Sequence, residues 1–375
     1  MSNRTRVKTS ERKAFPVDEQ RKIALALDPS AATAEDAGLK FVSDAAPGIS
    51  RTKRTKLFRY TGPDGRLIRD PATLARILAL AIPPAWTDVW ICPRADGHIQ
   101  ATGRDARGRK QYRYHADWQR VRDEAKYDRL MAFGRLLPKL RRTIKRDMSR
   151  PGIGRRKVLA TVTHLLETTL IRVGNREYAR TNKSFGLTTL QDRHVSVRGT
   201  RIFFKFKGKT GKEWRLEHTH ARVARIVRTC QDLPGQHLFQ YEDDDGTARE
   251  VTSQDVNSYL REVTGMPISA KDFRTWTGTV LAAMALSEFD KVDTKAAAKA
   301  NVRAAIASVA QRLGNTATIC RKCYVHPEVL ACYLEGSLRE TLKRKARNEL
   351  RDDIAKLPPE EAATLALLHT RLSRA

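Results

Sequence analysis

The chain is poor in several things at once, and each shortage excludes something. No stretch reaches the roughly 18 apolar residues of a membrane span, so a membrane role is not expected. The first residues, MSNRTRVKTSERKAF, are basic but lack the apolar core of a signal peptide. Cysteine is sparse: Cys92, Cys230, Cys320, Cys323 and Cys332 are odd in number and scattered. That pattern argues against a disulfide framework and for a reducing compartment, so a soluble cytoplasmic protein is expected. Internal repeats are absent. Acid is scarce beside base: 42 Asp and Glu stand against 71 Lys and Arg, for a net charge of +29. Such an excess is too large for an ordinary small-molecule enzyme. It fits a polyanionic partner, because each cation set against a phosphate releases a counterion. The basic residues run the whole length and no long amphipathic anchor stands out, which favours nucleic acid over an anionic membrane.

What is present is enough for a packed core. Hydrophobic residues make up 41% of 375, which allows two domains or one large one. Residues 1–38 are polar and charged and read as a poorly ordered basic tail. Residues 39–118 carry short extended runs broken by turn signals and read as a small β-rich domain. KLFRYTGPDGRLI is a hairpin around Pro63, Asp64 and Gly65. DPATLARILALAI is a helix with Asp70 as N-cap and Pro71 at N1, stopped by Pro83 and Pro84. A second hairpin face carries Arg104, Arg107, Arg109, Lys110, Tyr112, Arg113 and Tyr114, cations interleaved with aromatics in the manner of a phosphate-contacting surface. The plainer reading is a solvated edge strand. Residues 119–375 are mainly helical, with Pro138 expected to kink or end the first helix. Three strand-like runs, HVSV, RIFFKF and EWRLEHT, interrupt the helices and predict a small sheet. The fold class expected is α+β: a small β-rich domain followed by a larger, mainly α-helical one.

One constellation carries chemistry. Asn315 and Tyr324 lie nine residues apart in LGNTATICRKCYVHP. Upstream stand Arg172 in LIRVGN, Lys209 in FKGKTGKEW and Arg274 in KDFRTW. Cleaving a phosphodiester with tyrosine requires a phenol nucleophile, charge on the nonbridging oxygens and a proton for the leaving oxygen. Guanidiniums are suited to the second task, being always charged and planar. A lysine on a short turn serves the third, with Lys205, Lys207 and Lys212 as rivals to Lys209. The Asn315 amide can donate to a nonbridging oxygen. Singly, each residue has a plainer role. Arg172 would be a helix C-terminal cation capped at Gly174, Arg274 a partner of Asp272, Tyr324 a core tyrosine. Lys207, Lys212 and Lys271 join the candidate DNA contacts. Cys320 and Cys323 form a lone C-x-x-C, weak as a metal or redox motif without a second pair. The acidic run from Glu242 to Asp245 reads as a solvated hairpin turn, and His164 as structural.

These segments resemble the type IB DNA topoisomerases, in their poxvirus-like and bacterial branch. In that family the first arginine lies in IR-x-GN, here IRVGN; the lysine lies in a β-turn with a Gly-Lys signature, here Gly208-Lys209. The second arginine follows a lysine in K-x-x-R-T, here Lys271 to Thr275. Tyrosine recombinases share the mechanism but usually carry histidine where Lys271 stands. Poxvirus and nuclear relatives carry histidine where this chain has Asn315, a departure that bacterial relatives share. The resemblance covers roughly residues 40–335. It implies a clamp around duplex DNA and reversible nicking through a 3′-phosphotyrosyl link at Tyr324. Arg172 and Arg274 would stabilise the transition state, Lys209 would act as general acid and Asn315 would hold a phosphate oxygen. It implies no metal, no nucleotide and no other cofactor, and a monomer associated with a bacterial nucleoid. A site-specific tyrosine recombinase and a non-enzymatic basic DNA-binding protein are the alternatives.

Overall fold

The computed structural model describes residues 34–35, 37–54, 57–289, 292–348 and 356–372. The expected basic tail over residues 1–38 falls almost entirely outside them. The chain divides into two compact units, with the boundary between Lys126 and Tyr127. No described helix is long and apolar enough to cross a membrane.

The first unit is built on a five-stranded antiparallel sheet. Its strands are β1 (Ile49–Arg54), β2 (Leu57–Thr61), β3 (Thr87–Ile91), β4 (Ile99–Arg104) and β5 (Lys110–Tyr114), in the order β2-β1-β3-β4-β5. The expected turn after β2 is present: Gly62 N–H donates to Arg66 O at 2.8 Å, and Gly65 N–H to Gly62 O at 3.0 Å. Between β2 and β3 lies α1 (Pro71–Ala79). Asp70 caps it as the sequence predicts, accepting from Thr73 N–H at 2.8 Å, and Pro71 fills N1, where no donor is needed. The helix ends before Pro83 and Pro84 are reached. Ile77 drops from it onto Ile49, Val89, Ile91 and Ala101, and this apolar cluster is the unit's core.

α2 (Ala116–Asp147) follows β5, and the division between the units falls within it. Pro138 lies inside α2 and does not end it. A proline there removes one backbone donor and crowds the carbonyl four residues back. Leu130, Phe133, Leu137, Leu140 and Ile144, all buried on the second unit's core at helical spacing, hold the helix through that position.

The second unit continues with α3 (Arg155–Thr169), the short α4 (Arg176–Asn182), and the antiparallel sheet β6 (Val195–Arg198), β7 (Arg201–Lys207) and β8 (Glu213–Thr219). β7 alternates as a half-buried strand must: Ile202, Phe204 and Phe206 point inward, and Arg201, Lys205 and Lys207 outward. Then come α5 (Ala221–Gln231), the hairpin β9 (Gln240–Glu242) and β10 (Ala248–Glu250), α6 (Ser253–Thr264) and α7 (Ala270–Ser287). The acidic run is the turn of that hairpin, with Arg249 paired to Asp243 and Asp245. α8 (Lys295–Leu313), α9 (Ala317–Cys323), α10 (Pro327–Leu334), α11 (Leu338–Asn348) and α12 (Pro359–Leu372) complete the unit. α7 is buried nearly all round, with Phe273, Trp276, Val280, Ala283 and Leu286 in the core. A helix so enclosed is a fixed frame, and the candidate site is keyed to it.

Candidate active site

The second unit brings Arg172, Arg274, Asn315 and Tyr324 together. Arg172 stands three residues past the last residue of α3. The helix ends at Leu170, a left-handed C-cap with φ 59°, and not at Gly174 as the sequence suggested. The segment that follows is pinned by backbone bonds. Leu187 N–H donates to Arg172 O at 2.9 Å, and Thr188 N–H to Val173 O at 2.7 Å. Gly174 lies against Gly186, where a Cβ would stand 2.6 Å from the Gly174 Cα.

Arg274 projects from the first turns of α7 and is 4% exposed. Its Nη1 donates to Leu170 O, which the left-handed turn presents, and its Nη2 to Leu313 O at the end of α8. Asp272 is not its partner: that carboxylate closes the N-terminal capping box of α7, accepting from Ser269 N–H at 2.8 Å and Ser269 Oγ at 2.9 Å. Arg172 Nη2 donates to Gly314 O at 3.2 Å and to Asn315 Oδ1. Neither guanidinium pairs with a carboxylate among the described residues. Burial lowers the pKa of both. For Arg172, reinforced by the neighbouring Arg274 charge and opposed by Tyr324, the result is about 10, and the group stays charged at neutral pH.

Tyr324 closes α9 as its C-cap, with φ −132° and ψ −3°. Its ring lies under Arg274, the guanidinium carbon 5.2 Å from the ring centroid. Charge and hydrogen bonding link the phenol to both arginines. Two donors in this site have no partner among the described residues: Arg274 Nε and Asn315 Nδ2 are buried and unsatisfied. Because Arg172 occupies the Asn315 Oδ1, the amide must present its NH2 end to the vacant side. Orphaned buried donors are costly unless something accepts from them, and an anion's oxygens would.

Lys209 opens an exposed turn between β7 and β8. That turn is tied to the Asn315 corner by Trp214 of β8, a residue that belongs to no motif. A Cβ on Gly208 would sit 2.6 Å from the indole, and one on Gly314 would sit 2.8 Å from it. Lys212 Nζ reaches Gln311 O at 3.4 Å across the same junction. Gly278 on α7 was missed as well: a Cβ there would stand 2.5 Å from Tyr324 O, so only glycine lets the nucleophile candidate's backbone approach the helix. Lys207, Lys212 and Lys271 are exposed.

The first unit sorts its candidate contacts into groups. Lys110, Tyr112 and Tyr114 share one face of β5, the two tyrosine rings stacked with centroids 5.8 Å apart. Arg113 takes the opposite face, donating to Ala81 O at 3.0 Å and lying 5.7 Å from the Trp86 ring centroid. Acids neutralise several cations: Arg104 meets Asp88 at 3.5 Å, Arg109 meets Asp105 at 2.6 Å, and Lys110 meets Asp44 at 2.6 Å. Arg107 is exposed on the β4–β5 turn. Cys320 and Cys323 form no disulfide among the described residues; Cys320 is buried, and burial pushes its pKa up to about 11. No group of three or more His, Cys, Asp or Glu among the described residues could hold a metal ion.

Residues 115–350 match the family described as eukaryotic DNA topoisomerase I, catalytic core. Residues 57–105 match that of bacterial DNA topoisomerase IB, N-terminal domain. The chain is similar to DNA topoisomerase 1B of Acanthamoeba polyphaga mimivirus, 35% identical over 295 residues, which cover 76% of this chain and 87% of the viral protein. The class is therefore that of enzymes acting on duplex DNA topology. The chain belongs to the type IB DNA topoisomerases.

Proposed function

We propose that the enzyme relaxes supercoiled duplex DNA by nicking one strand through Tyr324 and resealing it. Tyr324 releases its phenolic proton to water as its oxygen attacks a backbone phosphorus, which stays on the 3′-oxygen and gains a P–O bond to the tyrosine. The P–O bond to the 5′ side breaks, and Lys209 gives the departing 5′-oxygen a proton. Arg172 and Arg274 hold the nonbridging oxygens while their charge builds, and Asn315 Nδ2 donates to one of them. The free 5′ end rotates, then attacks the phosphotyrosine and restores the strand. The chemistry of every step is supplied by these side chains, so neither metal nor nucleotide is required. Lys207, Lys212, Lys271 and the β5 face of the first unit contact backbone phosphates. The enzyme acts as a monomer in the bacterial cytoplasm, on the nucleoid.

The observation that carries this reading is the pair of carboxylate-free guanidiniums, seated on carbonyls beside Tyr324, with two buried donors left open. The test is relaxation of a supercoiled plasmid in EDTA without ATP, across a salt series because turnover depends on phosphate contacts. Wild-type protein should relax the plasmid and form a covalent adduct. Tyr324→Phe should do neither while binding duplex nearly as well. Relaxation by Tyr324→Phe would overturn the nucleophile assignment.

A further inference from the structure

Tyr324 lies just past the end of its helix, where regular hydrogen bonding no longer dictates the backbone. Its own N–H still reaches Cys320 O at 2.9 Å. Beyond that, its position depends on how residues 324–326 are held. A phenol oxygen sits far from its Cα, so a backbone rotation of about 10° displaces it by about 1 Å, and a misplacement of that size costs about 100-fold in rate.

Two hydroxyls hold this segment. Thr279 Oγ1 on α7 accepts from His326 N–H at 3.1 Å. Its proton faces Thr275 O at 2.8 Å and Tyr324 O at 3.4 Å. Tyr127 on α2 donates its hydroxyl to Val325 O at 3.1 Å, and its ring packs 4.4 Å from the His326 ring. Val325 and His326 are 1% and 2% exposed, so no water competes for these groups. Gly278 removes the side chain that would otherwise push Tyr324 O away. Arg274, Gly278 and Thr279 fall within six consecutive residues of one helix, with Arg274 and Gly278 one turn apart on the same face. One buried helix therefore sets both the guanidinium and the seat of the nucleophile's backbone.

We propose that Thr279 and Tyr127 are positioning residues for strand cleavage, clamping the Tyr324–His326 backbone to α7 and α2 so that the phenol oxygen is held in register with Arg274. This rests on Tyr324 being the nucleophile. Both directions of the reaction pass through the same in-line geometry, so loss of the clamp slows cleavage and religation together.

The experiment measures single-turnover cleavage, religation, duplex affinity and thermal midpoint for Thr279→Val, Thr279→Ser, Tyr127→Phe and Tyr324→Phe. Thr279→Val should slow both steps by about 10- to 100-fold, with duplex Kd and the covalent fraction at equilibrium held within about twofold. Thr279→Ser, which keeps the hydroxyl, should come back to within about threefold of wild type. Tyr127→Phe should slow both steps by about 3- to 10-fold. Wild-type rates in Thr279→Val, a loss that lies in duplex affinity, or failure of serine to restore the rate would each overturn the proposal. If Thr279→Val does not fold, Tyr127→Phe and Gly278→Ala decide: both must slow both steps, and wild-type rates in them overturn it. A covalent adduct from Tyr324→Phe would sink the nucleophile assignment instead, whatever the Thr279 variants do.

Discussion

The cations of the β4–β5 hairpin and the cations beside Tyr324 are the same residue types in opposite circumstances. Arg104, Arg109 and Lys110 each face a carboxylate within 3.5 Å, on a surface open to solvent. Arg172 and Arg274 are withdrawn from solvent and meet only carbonyl and amide oxygens and the phenol. A carboxylate fixes a cation and cancels it. A carbonyl fixes it and leaves its charge standing. The second arrangement spends hydrogen bonds on geometry and keeps the field for an incoming anion, which is what electrostatic preorganisation requires. In a sequence, both kinds of arginine count as +1.

Removing one cation from each region tests the contrast most severely. Arg274→Ala should lower the plasmid relaxation rate by about 100- to 1000-fold. It also strips the buried Leu170 and Leu313 carbonyls of a donor, at about 1–3 kcal/mol each, so the urea midpoint should fall as well. Arg274→Lys keeps the charge but not the planar fork, and should recover little. Lys110→Ala removes an exposed, paired charge, and stability should move by no more than about 1 kcal/mol. Comparable losses from both substitutions would break the comparison. Asn315→Ala comes next. It deletes a neutral donor and the acceptor for Arg172, so about a tenfold loss in single-turnover cleavage is expected, below that of either arginine.

Most of the local structure was legible because its causes are local. Asp70-Pro71 states a helix start by itself, and the alternation in RIFFKFK states which face of β7 is inward. Four candidate residues, Arg172, Arg274, Asn315 and Tyr324, were picked out by their motifs, and the structure places them together. What the sequence concealed depends on contacts between distant segments. Gly174 looked like a cap, but Leu170 takes the left-handed turn, and its carbonyl is seated by Arg274, 104 residues away. Asp272 looked like a partner for Arg274 because it is adjacent, yet the capping box claims it. Of the two outcomes expected at Pro138, an end to α2 is ruled out, because the apolar residues on either side pack into the core and carry the helix through. Trp214 and Gly278 carry no motif, and their roles exist only once Gly314 and Tyr324 are packed against them.

Burial also separates the two regions on the pH axis. His164 of α3 packs against His220 and His218, ring centroids 4.9 and 5.7 Å away, and its Nε2 has no partner among the described residues. Burial first, then the neighbouring histidines, hold its pKa down at about 4. The unfolded chain, with an ordinary histidine, binds more protons between that value and about 6.5. Stability is therefore full above this window and is lost as pH falls through it, by about 1–2 kcal/mol after allowing for partial exposure. His164→Leu should flatten the urea midpoint between pH 7 and pH 5. On the β4–β5 turn, Arg109 holds the Asp105 carboxyl at about 2. Its contribution is present at neutral pH and is lost only as pH falls below the ordinary carboxylate range, so the turn should stay protected from hydrogen exchange across the window that weakens α3.

The smallest effect sharpens the comparison from the other side, by making a hairpin cation resemble a site cation. Asp44→Asn keeps the shape beside Lys110 and removes the charge that holds it at 2.6 Å. Hydrogen bonding to that carboxylate, which raises the Lys110 pKa, is weakened, but the ammonium remains charged at neutral pH. If the face shared by Lys110, Tyr112 and Tyr114 lies on duplex backbone, the released lysine gains a phosphate. The slope of log K against log salt should then steepen by about 0.9, and low-salt affinity should rise severalfold. Cleavage at saturating DNA should not change, because no residue of the second unit is altered. An unchanged slope would mean that this face does not meet phosphate, and would leave DNA contact in the first unit to other residues.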